Sequence, residues 1–126
     1  MDHATKAGAR AFWNADPACY VADMHGLIVK LAVQPGQRDA VIAILVRCAT
    51  RMPGCLSYIV AKDTTDENAI WATEVWDCEA SHDASFTLPA IKEAVGLVRP
   101  MVIGIQSKVI TTPVGGLGLA QDAHSQ

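Results

Sequence analysis

The sequence predicts an α+β fold of the ferredoxin-like βαββαβ type, a four-stranded antiparallel sheet with both helices on one face. Three observations predict it. Apolar residues alternate with period two in four runs between about residues 25 and 112, they recur at spacings of three and four in two further runs, and Pro or Gly marks most of the joints. The runs follow one another as strand, helix, strand, strand, helix, strand.

The first strand is Gly26 to Val33, in which Leu27, Val29, Leu31 and Val33 alternate with Ile28, Lys30 and Ala32. Gln34-Pro35-Gly36 turns the chain out of it. From Gln37 to Arg51 the period becomes helical: Ala40, Val41, Ile44, Leu45 and Cys48 form one apolar stripe, while Arg38, Asp39, Arg47 and Arg51 fall toward solvent. Met52-Pro53-Gly54 stops this helix. Cys55 to Lys62 is the second strand, and Asp63 to Asn68 is a polar connection of hairpin length leading to the third, Ile70 to Trp76. Pro89 opens a second main helix, at a first-turn position where its missing N–H costs little. Ile91, Ala94, Val95 and Val98 form the apolar face of that helix, and Pro100 closes it. Ile103 to Thr112 is the last strand.

These elements divide the chain into a domain over residues 24–113, an N-terminal extension over 1–23 and a flexible glycine-rich tail over 114–126. The extension is either poorly ordered or an arm that lays Phe12 and Trp13 on a neighbour, and Met24 offers an internal start. The tail stays mobile unless Leu117 and Leu119 find a groove.

Composition sets the remaining limits. With 126 residues, 51% hydrophobic and 18% charged, the chain describes one soluble globular domain with room for a single core. A net charge of -3 without a basic cluster offers no footprint for nucleic acid. Pro, Gly or a charge interrupts each apolar run well short of the roughly 20 residues that span a membrane. No apolar segment follows Lys6 and Arg10 in the manner of a secretory signal. Cys19, Cys48, Cys55 and Cys78 form no CxxC pair and no zinc spacing with the histidines, so they read as reduced thiols in a cytoplasmic protein.

The densest chemistry lies in Ala69 to Ser85. Alternation along the third strand puts Trp71, Thr73 and Val75 on one face and Ile70, Ala72, Glu74 and Trp76 on the other, so a carboxylate and an indole project together. After Trp76 the chain turns polar and presents His82, Asp83 and Ser85 on a short helical turn. Several strands are apolar on both sides, as at Leu31 and Ile28 or Val60 and Ile59. Each large side chain left in water forgoes about 1.5 to 3 kcal/mol of burial. Two sheets packed face to face in a homodimer would cover the side the helices leave open, with a cavity remaining between each sheet and its helices.

The βαββαβ order, the Met-Pro-Gly-Cys-Leu-Ser-Tyr turn into the second strand, and the Thr-Glu-Val-Trp-Asp run followed by Ser-His-Asp-Ala-Ser resemble the antibiotic biosynthesis monooxygenase domain family of the dimeric α+β barrel superfamily. The resemblance covers about residues 25–113, and the Thr-Thr-Pro-Val-Gly-Gly tail resembles a quinol monooxygenase branch. It implies a cofactor-independent monooxygenase that oxidises a quinol or other phenolic aromatic with molecular oxygen. The absence of a dinucleotide fingerprint, a P-loop and a metal-spaced ligand set agrees with that expectation.

Such chemistry requires a substrate anion able to give an electron to oxygen, formed in a water-poor pocket. With about 10 for a phenol and about 6.5 for histidine, the proton transfer is uphill by roughly 3.5 units, near 5 kcal/mol. A histidine alone does not cover that, so the pocket must hold the anion. His82 is the candidate base, with Glu74 orienting it or replacing it. Ser85 and Arg99 are candidate oxyanion partners, Trp71 and Trp76 candidate stacking walls, and Tyr58 a further contact. Each has a plainer alternative: a helix-end hydrogen bond for His82, a backbone or cross-dimer partner for Glu74, a core anchor for Trp76, packing for Tyr58 and Trp71, a helix cap for Arg99. Cys78 next to Asp77 and Glu79 is a poor candidate for a reactive thiol. Two other functions fit the pattern, a non-catalytic dimeric module for a small ligand or protein and a haem-degrading oxygenase with His82 as ligand.

Overall fold

A computed structural model describes residues 23–120. Over these the chain runs β1 (His25–Val33), α1 (Arg38–Cys48), β2 (Cys55–Lys62), β3 (Ala69–Trp76), α2 (Glu79–Ser85), α3 (Pro89–Val98), a 3-10 turn (Arg99–Met101) and β4 (Val102–Thr111). The strands form one antiparallel sheet in the order β2-β3-β1-β4. This is the ferredoxin-like arrangement that the alternation predicts. The expectations for residues 1–22 and 121–126 lie outside the described residues. Among the described residues no helix is long and apolar enough to cross a membrane.

The strands bury the predicted faces. Leu27, Val29 and Val33 of β1 and Ile70, Ala72 and Trp76 of β3 are buried against the helices, where Val41 of α1 and Ile91 and Ala94 of α3 meet them. The core falls into two parts, one around Leu27, Val29 and Trp76, the other around Val33, Val41 and Ile70. On α1 the buried stripe lies slightly off the predicted one, because Ile42 packs into the second cluster while Ala40 is exposed. That helix also ends at Cys48, short of Arg51. The Ala49 N–H bonds the Val46 carbonyl, a tightened last turn, and Met52 precedes a proline that disfavours helical backbone.

Arg38 departs from its expected solvent position. Its Nη1 donates to the carbonyls of Asp63 (3.2 Å), Asp66 (3.0 Å) and Ala69 (3.3 Å), closing the β2–β3 connection over the start of α1. The same connection is ordered from within by Asp63, whose Oδ1 accepts the N–H groups of Thr65 and Asp66, each at 2.8 Å. Those bonds, first the Thr65 N–H and then the Trp71 indole N–H, hold the Asp63 carboxyl far below the usual carboxylate range.

The sheet face away from the helices is uncovered. It carries Ile59 and Val109, 59% and 48% exposed, beside half-buried Ile28 and Trp71. At the far end of β4 the chain crosses to the other edge of the sheet, where the Ala120 N–H donates to the Leu56 carbonyl of β2 at 2.7 Å. Leu119 is half-buried there and Leu117 is exposed.

Candidate active site

Cross-strand register builds the site. Glu74 on β3 pairs with Leu27 of β1 on one side and with Tyr58 of β2 on the other, so the three side chains stand abreast on the helix-covered face. Two residues on, Trp76 projects from the same face and donates its Nε1–H to Glu74 Oε1 at 2.9 Å. The chain then leaves the sheet, passes Cys78 in an extended conformation and enters α2, which carries His82 and Ser85 three residues apart on one side.

Close backbone approach holds α2 in place. Gly54, at φ +86, lies so near this segment that a β-carbon there would sit 2.5 Å from Ser81 Oγ and 2.8 Å from Asp77 Oδ1. Its carbonyl accepts the Asp77 N–H at 2.8 Å. The Met-Pro-Gly turn before β2 is thereby tied to the segment that carries the histidine.

His82 is the meeting point. Its Nε2 is 3.8 Å from Glu74 Oε1 and its Nδ1 3.8 Å from Asp83 Oδ1. Its ring lies 5.3 Å from that of Trp76, 5.3 Å edge-on from Phe86 and 5.8 Å from His25. The side chains of His82 and Glu74 are only 15% and 11% exposed. Burial lowers the pKa of His82 and outweighs the upward pull of Glu74; His25 and Lys108 push down as well, and Asp83 pulls up. The imidazole is therefore the neutral, free-base form at neutral pH.

These side chains border a partly open cavity of about 150 Å³ between sheet and helices, whose other walls are mostly aliphatic residues of α1 and α3. Tyr58, Glu74, Trp76, His82 and Ser85 all line it. Trp76 is 1% exposed and packed into the core, so it offers an edge and a fixed N–H rather than an open stacking wall. Ser85 is buried, and its Oγ–H donates to the His82 carbonyl at 2.6 Å, which leaves lone pairs rather than a proton for anything in the cavity. The Tyr58 hydroxyl has no hydrogen-bond partner among the described residues. Burial first, and then the Glu74 charge, push its pKa far up, so it is a neutral donor.

Two predicted residues stand apart. Trp71 is on the uncovered face, where its Nε1–H donates to Asp63 Oδ2 at 2.7 Å and Lys30 Nζ lies 5.6 Å from its ring. Arg99 is exposed on the 3-10 turn and does not border the cavity. The cysteines are corrected at one position: Cys78, 1% exposed, is disulfide-bonded rather than a reduced thiol. Cys48 and Cys55 are free thiols, and burial pushes Cys55 up to about 11, too high to furnish a nucleophile. Among the described residues no group of three or more His, Cys, Asp or Glu side chains is arranged to hold a metal ion.

The family model for antibiotic biosynthesis monooxygenase matches residues 24–97, more than half of the chain. The chain belongs to the antibiotic biosynthesis monooxygenase family. A family protein of Chloroflexus aurantiacus is 52% identical, with a TM-score of 0.75 over 77% of this chain and 99% of that one. A second, from Caulobacter crescentus, is 22% identical, with a TM-score of 0.65 over 75% and 92%. SnoaB of Streptomyces nogalater, a cofactor-independent oxygenase, shares the fold at 16% identity and a TM-score of 0.61, over 76% and 98%. No curated protein matches.

Within this family domain the structure adds residues that the sequence reading passed over. His25 heads β1 and is the Cα partner of Trp76, so the antiparallel register itself brings its ring to His82. Phe86 follows α2 and lies edge-on to the same imidazole, half exposed at the cavity. A register drawn between the first and third strands would have found His25. Nothing in the local sequence pattern marks Phe86.

Proposed function

We propose that the chain is a cofactor-independent monooxygenase that inserts one oxygen atom at a free ring position, converting a phenol to the quinone or a quinol to the hydroxyquinone, with the second oxygen atom leaving as water. For a phenol with a free ring position the balance is phenol plus O2 giving quinone plus water, so the substrate supplies all four electrons and no reductant is needed. The observation that carries this reading is the fixed sequence Trp76 N–H, Glu74 carboxylate, His82 imidazole at the polar end of an otherwise apolar cavity.

In this reading His82 takes the phenolic proton, and Glu74, held by Trp76, faces the imidazolium that results. Because burial makes His82 a weaker base than free imidazole, the transfer costs more than the roughly 5 kcal/mol separating a phenol from an ordinary histidine. The phenolate and imidazolium, formed about 4 Å apart, recover about 4 kcal/mol at an effective dielectric of 20. The Tyr58 hydroxyl supplies a donor to the anion, the part that Ser85 and Arg99 are not placed to play. Exclusion of water by the aliphatic walls keeps the anion reactive toward oxygen.

The uncovered sheet face supports a homodimer in which two sheets pack together, leaving the helix-side cavity of each subunit in place. A haem-degrading role is less well supported, since a cavity of about 150 Å³ is small for a tetrapyrrole. The test is oxygen uptake with a panel of reduced quinones, comparing the wild type with His82→Ala. Uptake above autoxidation that disappears in the variant supports the proposal; equal rates in both remove His82 from the mechanism.

A further inference from the structure

We infer that the substrate carries a single aromatic ring, a monocyclic phenol, catechol or hydroquinone rather than a fused polycycle; this rests on the oxygenase reading of the same cavity. The volume is the first observation. An apolar cavity of about 150 Å³ is the size that takes up benzene, whereas sites for drug-sized ligands run to about 300 Å³ and more. Most of the walls belong to secondary-structure elements, Leu45 and Cys48 on α1 and Ile91, Ala94 and Val98 on α3, with Met52 and Phe86 outside them. Trp76, 1% exposed and hydrogen-bonded to Glu74, has no space to swing aside.

The second observation is how the polar groups are distributed. Tyr58, Glu74 and His82 are all on one side of the cavity, and the α1 and α3 walls facing them are aliphatic. Tyr58 offers an unused O–H. Glu74 Oε2 and the neutral His82 ring offer acceptors, since the one hydrogen bond received by Glu74 falls on Oε1. A phenolic hydroxyl both accepts and donates, so it satisfies one group of each kind while its ring fills the apolar remainder. A second fused ring would have to displace a helix or leave the apolar interior through the open side, past half-exposed Phe86, into water.

Calorimetric titration under nitrogen with phenol, 2-naphthol and 1-hydroxyanthracene tests this. Apolar area alone favours the larger rings, so size exclusion is read as a reversal: phenol should bind about tenfold more tightly than 2-naphthol, with 1-hydroxyanthracene weaker still. Binding of 2-naphthol as tight as that of phenol, or no binding by any of the three, overturns the inference. Ala94→Leu fills the cavity from a helical position that tolerates leucine and should abolish phenol binding while keeping the melting temperature; phenol binding retained in a folded variant also overturns it. Oxygen uptake separates this inference from the oxygenase reading. If phenol binds in the expected order yet no phenol, catechol or hydroquinone consumes oxygen, the ring limit stands and the oxygenase reading falls. Faster turnover of a reduced naphthoquinone than of a monocyclic hydroquinone does the reverse.

Discussion

Trp76 donates its indole N–H to Glu74 at 2.9 Å from a position two residues along the same face of β3. A buried carboxylate needs partners, and this one takes a neutral donor on one side and a neutral imidazole 3.8 Å away on the other. The arrangement leaves the negative charge of Glu74 uncancelled until His82 gains a proton. Trp76→Phe keeps the ring and removes the donor. We expect a loss of about 2 kcal/mol, the usual range for a hydrogen bond to a charged group, read as a lower urea midpoint at unchanged slope. An unchanged midpoint would mean that the bond contributes nothing to stability.

The direction of the His82 shift fixes the sign of a pH effect. Its pKa is lowered in the folded protein, so between that value and about 6.5 the unfolded chain binds more protons, and stability rises with pH. The stabilising neutral state is therefore fully present above about 6.5 and is lost as the solution is acidified through and below that value. Glu74 and Asp83 oppose the shift, and His25 and Lys108 reinforce it. Stability measured from pH 7.5 to pH 5 should fall less steeply in His82→Gln than in the wild type. Parallel curves would show that His82 does not titrate differently in the two states.

How much of this was legible in the sequence depends on whether the cause was local. Alternation gave the faces of β3, and so placed Glu74 with Trp76 and away from Trp71, because side-chain direction in a strand follows from position alone. The α3 stripe from Ile91 to Val98 was legible for the same reason. Arg38 was not, since its three carbonyl acceptors lie 25 to 31 residues away on a connection whose path depends on the sheet. The committed hydroxyl of Ser85, the exposed position of Arg99 and the ring contact of His25 are likewise products of tertiary placement. The disulfide at Cys78 leaves no trace in cysteine spacing.

Gly54 is a position where the backbone and the site meet. Its φ of +86 disfavours any β-carbon, and an added one would collide with Ser81 on the helix that carries His82. Strain of this kind costs about 1–3 kcal/mol before the collision is counted. For a domain of this size each 1 kcal/mol is roughly 4–8 °C, so Gly54→Ala should lower the melting temperature by about 10 °C and impair any activity that depends on His82. A change under a few degrees would show that α2 yields without cost.

Tyr58→Phe separates binding from folding. The hydroxyl has no protein hydrogen bond among the described residues, so its removal should leave stability within about 0.5 kcal/mol, as for substitutions that break no contact. If the hydroxyl is the donor to the substrate oxygen, phenol affinity should drop about tenfold, the effect of losing one good hydrogen bond. Unchanged affinity would remove Tyr58 from the site.

The uncovered sheet face supplies the last prediction. Ile59 and Val109 expose 59% and 48% of their surface beside Ile28 and Trp71, an apolar area interrupted by exposed Thr73 and by Lys30, whose Nζ is paired with Asp63 Oδ2 at 3.6 Å. Specific, stable protein–protein interfaces bury about 1,200–2,000 Å² in total, and a four-stranded face can supply its share. The protein should elute at twice the 13.4 kDa of one chain and remain there on dilution to micromolar concentration. Ile59→Lys puts an unpaired charge into that contact from the edge strand β2 and should shift the elution to a single chain, while the helix-side cavity, on the opposite face, keeps its phenol affinity. A wild type that elutes as one chain at every concentration would end the dimer proposal, and loss of phenol binding in a folded, monomeric Ile59→Lys would show that the cavity depends on the second subunit.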